Sequence, residues 1–316
     1  MHKKTKMGIL AAIAVILIII FLFTDMGNYW GYVLPNRSIK ILALVLTGAA
    51  IAFSTVVFQT ITNNRILTPG IIGLDSLYML IQTFLIFAFG ASDLSVMNKS
   101  INFLVSVGLM VLFAGVLYKF LFKREGQNIY FLLLVGLVMG TLFQSFSSFM
   151  QVIIDPNEFQ IIQDRMFASF NNINTDLLIL SFVLMVAVFI YFWKFVKFLD
   201  VLSLGKEQAI NLGVDYNYVV KRLLIVVAIL ISIATALVGP ITFLGLLVVN
   251  VAYQFIKTYQ HTYLILSSIF ISIIALVGGL LIVERVFTFS TTLSVIINFI
   301  GGAYFIYLLL KENKSW

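Results

Sequence analysis

Cysteine is absent from this chain, and histidine occurs only at His2 and His261. Disulfides, thiolate chemistry and clustered Cys/His metal sites are thereby excluded, and with them most metalloenzyme readings. Charge is also scarce: Asp, Glu, Lys and Arg make up 10% of the 316 residues, where a soluble domain averages about 25%. No GxxxxGK[ST] loop occurs. Gly205-Lys206-Glu207 lacks both the earlier glycine and the hydroxyl that a phosphate site and its magnesium need, so ATP is not bound here by that means. Low-complexity tracts and internal repeats are not legible.

What is abundant is apolar surface, with 61% hydrophobic residues and a mean hydropathy of +1.09. A bilayer is the solvent that fits. A span takes roughly 20 mostly apolar residues, so the length accommodates about ten spans and no sizeable soluble domain. Apolar runs at 7–24, 39–62, 70–90, 100–122, 129–152, 177–198, 222–239, 241–257, 263–283 and 293–311 supply them. The expected fold class is therefore an all-α integral membrane protein of about ten transmembrane helices, a single domain over 1–316 with both termini cytoplasmic. Lys3, Lys4 and Lys6 precede the first run as in a signal peptide, but no small-residue cleavage site follows, so that run is taken as a span. With the N-terminus inside, fifteen of the twenty Lys and Arg fall on the cytoplasmic side, and only Arg37, Lys40, Lys99, Arg165 and Arg285 fall outside. This positive-inside asymmetry explains the net charge of +7 without nucleic acid.

Two connectors are longer than turns. The external one, 153–176, opens on Asp155-Pro156 and suggests a short surface helix. The cytoplasmic one, 199–221, reads DVLSLGKEQAINLGVDYNYVV, in which Gly205 and Gly213 divide two short amphipathic stretches whose apolar faces include Leu204, Ala209, Ile210 and Leu212. Within the spans ionisable residues are few, which weakly supports ion-gradient coupling at best. Asp75 lies five residues past Gly70, roughly 8 Å along a helix, and is expected near the cytoplasmic interface. Glu284-Arg285 falls at the external end of the ninth span, where opposite charges stay hydrated. Backbone breaks stand out at QTITNNRILTPGIIG (59–73) and at Gly239-Pro240, while Gly245 and Gly301-Gly302 permit close helix approach.

The order of these segments resembles the FecCD-type permeases of iron-siderophore, haem and vitamin B12 importers over nearly the whole chain. Arg37 and Lys40 are similar to the basic pair before that family's second helix. Gln59, Asn64, Leu67, Pro69 and Gly73 match its Gln…Asn-Pro-Leu-Ala-x-Pro-x-x-x-Gly stretch. Leu202, Leu204, Gly205, Ala209, Leu212 and Gly213 match Leu-x-Leu-Gly-x-x-x-Ala-x-x-Leu-Gly, and GPITFLGLLV and IGGAYFIYLL match two further segments. The chain departs from the pattern at Val249-Asn250, Tyr253 and Ala303, and Glu284-Arg285 is out of register. NRILTPGIIGLDSLY looks most like one of the two non-identical permeases of Gram-positive catecholate or petrobactin-type systems.

The resemblance implies an importer permease in the bacterial cell membrane that takes up iron(III)-siderophore by alternating access. Its partners would be a second, non-identical permease, two cytoplasmic ATPase subunits, an external substrate-binding lipoprotein and membrane lipid, with no cofactor, no metal site and no catalysis in this chain. Leu202, Leu204, Gly205, Ala209, Leu212 and Gly213 would couple to the ATPase, and Arg37, Lys40 and Arg285 would dock the binding protein. Gln59, Asn64, Pro69, Gly73, Gly239, Pro240 and Gly245 would form the pathway and its hinges. The alternatives are an ion-gradient-coupled secondary transporter, or the same importer type carrying vitamin B12 or haem.

Overall fold

The computed structural model describes residues 3–24, 29–90, 99–121, 129–171, 173–289 and 291–312. Among them are thirteen α-helices, two 3-10 turns (Pro69–Ile72 and Trp193–Phe195) and no strand. The helices are α1 (Lys3–Phe23), α2 (Trp30–Thr62), α3 (Leu74–Phe89), α4 (Lys99–Leu121), α5 (Ile129–Ile153), α6 (Pro156–Arg165), α7 (Thr175–Phe192), α8 (Val196–Leu202), α9 (Lys206–Asn211), α10 (Tyr216–Val238), α11 (Leu244–Ile256), α12 (His261–Arg285) and α13 (Leu293–Glu312).

Among the described residues eight apolar stretches are long enough to cross a membrane, and α3 and α11 are shorter apolar helices of 16 and 13 residues. The chain is a multi-pass membrane protein. In hydrocarbon every backbone polar group must be satisfied within the structure, which is why helices serve as spans. The core is built on α2, α10 and α12. From Ala43 to Thr62 α2 is almost wholly buried, and α10 is buried along most of its length. Apolar burial gives little drive to helix association in lipid, so close approach of small residues matters more. A Cβ on Gly48 of α2 would lie 2.8 Å from Ser272 Oγ of α12, and one on Gly245 of α11 would lie 2.1 Å from Thr55 Oγ1 of α2. Around this core α1 packs on α12, α4 and α7 pack on α10, α5 packs on α3, and α13 packs on α11 and α12.

A repeat invisible in the residues emerges from these contacts. In α2–α5 and in α10–α13 a long buried helix leads through a broken stretch into a short helix; α3 then packs chiefly on α5, whereas α11 packs chiefly on α12 and less on α13. The long helices also trade partners, α2 against α12 and α10 against α4.

Candidate functional site

The two short helices begin inside the protein's thickness, not at its ends. Thr62 ends α2, and Asn63 takes the left-handed conformation (φ 48°) and turns the chain back. Gly73, at φ +88°, lies against Gly140 and Gly136 of α5, to whose backbones an added Cβ would come within 3.0–3.1 Å. Those glycines lie seven and eleven residues from Ile129, roughly 10–17 Å along a helix of about 37 Å, so α3 starts near mid-depth. Residues 63–73 thus re-enter the bundle, whereas the hydropathy pattern suggests a full span from 70. Irregular backbone at such depth is tolerated where it is buried in protein or lines a cavity. Here two amides hold it: Gln59 Nε2 and Asn250 Nδ2 both donate to the Arg65 carbonyl, at 2.7 and 2.9 Å. Asn64 Oδ1 accepts from the Ile66 N–H, and Pro69 opens the 3-10 turn.

Re-entry also moves Asp75. In place of the interface expected for it, the structure puts it in the first turn of α3 at mid-depth, where a helix N-terminus favours negative charge. Its Oδ1 accepts from Thr235 Oγ1 at 3.3 Å. The second break, 239–243, repeats the arrangement. Gly239 has φ +100° and abuts Ala168, and Gly301 of α13 abuts Phe243. Gly302, by contrast, faces open space.

Beside the first break lies a groove of about 550 Å³ lined by Gly70, Gly73, Ser76 and α5. On α5, Thr141, Gln144, Ser145 and Ser148 are exposed along that groove, at the spacing of one helical face. A hydroxyl-amide stripe outward on an otherwise apolar helix is out of place against lipid tails. Hydropathy averaged over the span conceals it.

At one end of the bundle, α8 and α9 form two short helices divided by Gly205 (φ +102°), and Gly213 (φ +83°) closes the second. Of the residues singled out there, Leu202 and Ala209 are buried and hold the pair to the bundle, while Leu204 and Leu212, with Ile210, stand 49–63% exposed. Ala209 therefore faces inward, not out. Lys6 Nζ, donating to the Phe255 carbonyl at 2.6 Å, and Lys206, over the Tyr216 ring, share this end. In the charge tally, Lys123, Arg124 and Lys314 lie outside the described residues.

At the opposite end, Arg37 donates to Glu284 Oε1 (3.0 Å) and to the carbonyls of Phe21 (2.7 Å) and Thr24, tying the ends of α1 and α12 to α2. Glu284 is thus paired with a residue 247 positions away and is not merely hydrated beside Arg285. Lys40 reaches Asn171 at 3.2 Å and the Phe289 ring at 5.9 Å. The short helix expected in 153–176 is α6, capped by Asp155. Arg165 at its end donates to Gln82 of α3, which in turn donates to Asn102 and Ser106 of α4 at 3.1 and 3.0 Å. Among the described residues no three acidic or histidine side chains converge as a metal site.

The FecCD transport family matches residues 7–311 of the chain. The petrobactin import system permease protein YclO of Bacillus subtilis is 67% identical over the whole of both chains. The petrobactin import system permease protein FatC of Bacillus anthracis is 39% identical over 89% of this chain and 79% of its own. Among solved structures, an inward-facing metal-chelate type ABC transporter superposes with a TM-score of 0.85, covering 98% of this chain and 99% of that one at 21% identity.

Proposed function

The chain belongs to the FecCD transport family, and from that premise we propose that it is the membrane-spanning permease subunit of an ATP-binding-cassette importer for iron(III)-siderophore complexes of the petrobactin type. The names carried by its Bacillus relatives support the cargo. One observation in the fold supports the role: a polar stripe exposed from the middle of α5 toward its C-terminal end, beside a broken, glycine-lined backbone, which suits a path shared with a second chain better than contact with lipid.

On this reading the spans number ten, with α3 and α11 each completing a crossing begun by broken backbone, and both termini lie in the cytoplasm of a bacterial cell. A second permease of the same family, non-identical, faces the stripe and closes the path. Leu204, Ile210 and Leu212 insert into the paired ATPase subunits, where ATP is hydrolysed, and no covalent chemistry belongs to this chain. Burial of each leucine there contributes roughly 1.5–3 kcal/mol. Gly205 and Gly213 set the angle between α8, α9 and α10, and Leu202 and Ala209 anchor them. At the other face an external binding lipoprotein docks through its acidic residues against Lys40 and Arg285, with Arg37 fixing the helix ends below. Gly73, Pro69, Gly239, Pro240 and Gly245, with Gln59 and Asn64, are the hinges about which the path changes its open face.

Changing Leu204 and Leu212 together to Asp tests the coupling. The ATPase should no longer co-purify, and ATP-dependent uptake of ferric petrobactin into proteoliposomes should fall to background. Normal co-purification and uptake would overturn the assignment. Uptake abolished by a protonophore but indifferent to ATP would instead mark an ion-coupled carrier.

A further inference from the structure

A cavity of about 480 Å³ opens between α2, α8, α11 and α12 at the end that carries α8 and α9. Three side chains from three helices form a continuous chain along its wall. Asp200, in the last turn of α8, accepts at Oδ1 from the backbone N–H of His261 at 2.9 Å and from its ring Nδ1 at 2.6 Å. His261 is the first residue of α12, where Gln260 offers no side-chain cap, so Asp200 supplies from another helix the acceptor that the N-terminus lacks. The far ring nitrogen, Nε2, lies 2.9 Å from Thr60 Oγ1 in the last turn of α2.

The ends of this chain sit in different surroundings. The Asp200 side chain is 55% exposed and that of His261 only 4%, and Thr60 is buried. Thr60 adjoins Gln59, whose amide holds the Arg65 carbonyl at the start of the re-entrant stretch. Hydrogen bonds therefore run from the helix pair that meets solvent, through a buried imidazole, to Thr60 in the last turn of α2. The Thr60 hydroxyl also donates to the Val56 carbonyl of its own helix at 2.8 Å, and the α2 backbone joins Thr60 to Gln59 at the edge of the break. Only a side chain with donor or acceptor atoms on both sides bridges them: asparagine at 261 reaches only the Asp200 side, glutamine only the Thr60 side.

We propose that Asp200, His261 and Thr60 form the mechanical joint that passes displacement of α8 and α9 to the α2–α3 break. They are positioning residues, touching neither nucleotide nor cargo, and the proposal rests on reading the chain as an ATP-driven permease. A residue that only capped α12 would need the Asp200 contact alone. The joint needs both.

The test uses the complete complex of both permeases, ATPase and binding protein in proteoliposomes, with radiolabelled iron(III)-petrobactin as probe and ATP hydrolysed counted beside iron imported. Thr60→Val, nearly isosteric, should leave assembly and ATP hydrolysis within twofold of the unaltered complex and lower iron imported per ATP at least fivefold. His261→Asn and His261→Gln should each lower the same ratio by as much, while Asp200→Asn, which keeps an acceptor for Nδ1–H, should stay within twofold. Should the His261 variants fail to assemble, Thr60→Val decides. An unchanged ratio in Thr60→Val, or in an assembled His261→Asn, reduces the imidazole to a helix cap and overturns the proposal. Absence of ATP-dependent import by the unaltered complex would instead refute the permease reading itself.

Discussion

Alanine at Gly136 should damage this protein more than alanine at any other helical glycine of α4 or α5, and the structure sets the order. On α5, a Cβ at 136 would stand 2.8 Å from Ile72 Cα and 3.0 Å from the Ile71 carbonyl oxygen. Both are backbone atoms of the re-entrant stretch and have no rotamer to escape into, so the helix and the break must move apart. At Gly140 the nearest atoms are Gly73 Cα at 3.2 Å and Ser76 Oγ at 3.7 Å, the second of which can turn away. At Gly108 of α4 nothing lies within 4 Å. Overpacking a closed site costs about 1–3 kcal/mol, which puts Gly136→Ala near 3 and Gly140→Ala near 1. Gly108→Ala should be neutral or gain up to about 1 kcal/mol from helix propensity.

With about 2–4 °C per kcal/mol for a chain of this size, the melting temperature of the purified permease pair should fall by roughly 6–12 °C for Gly136→Ala and a few degrees for Gly140→Ala. Gly108→Ala should melt at or above the unaltered protein. Import should follow the same order. If Gly136→Ala melts with Gly108→Ala, the re-entrant stretch is not seated on α5 and the mid-depth start of α3 is wrong. Gly73→Ala adds the cost of a positive φ, roughly 1–2 kcal/mol, and should be the most damaging of the set.

Other outcomes follow from the two ends and the groove. Replacing Gln144, Ser145 and Ser148 with Leu, Ala and Ala should leave assembly and melting intact while lowering uptake at least tenfold, read by transport assay; unchanged uptake would place the path elsewhere. Arg37→Ala leaves Glu284 partly buried without its partner, and with the pair 12% and 22% exposed the cost should be about 1–3 kcal/mol, below that of a fully buried pair. Adding Glu284→Gln should recover part of it, and melting of the double variant shows whether it does. Lys40→Glu combined with Arg285→Glu should slow association of the binding protein about tenfold at low salt, with the difference shrinking as ionic strength rises; a salt-independent defect would argue against electrostatic docking.

What the sequence discloses of the fold divides along the range of the forces involved. The long helices are legible because transfer into lipid acts on every residue of a run, and one composition rule finds them all. The pairing of Leu-Gly motifs with two short helices is legible because Gly205 and Gly213 must adopt positive φ, which few other residues do. That the chain breaks within 59–73 is legible, but that it re-enters to mid-depth is not, since Ile66, Leu67, Ile71 and Ile72 are as apolar as a span, and hydropathy cannot tell a helix from broken chain packed on glycines. Its clue is weaker: Asn63, Asn64, Thr68 and Pro69 cluster in eleven residues bounded by Gly73. Nor does anything local foretell that Asp200 meets His261, 61 residues on, or that Arg37 meets Glu284. His261, Arg37 and Glu284 are costly to bury alone, so each requires a partner somewhere, but only the fold says which. The sites the sequence identifies are therefore those where backbone conformation restricts the residue, and the ones it misses are those where two distant side chains satisfy each other. The proposed joint belongs to the second kind, and its three members carry no motif.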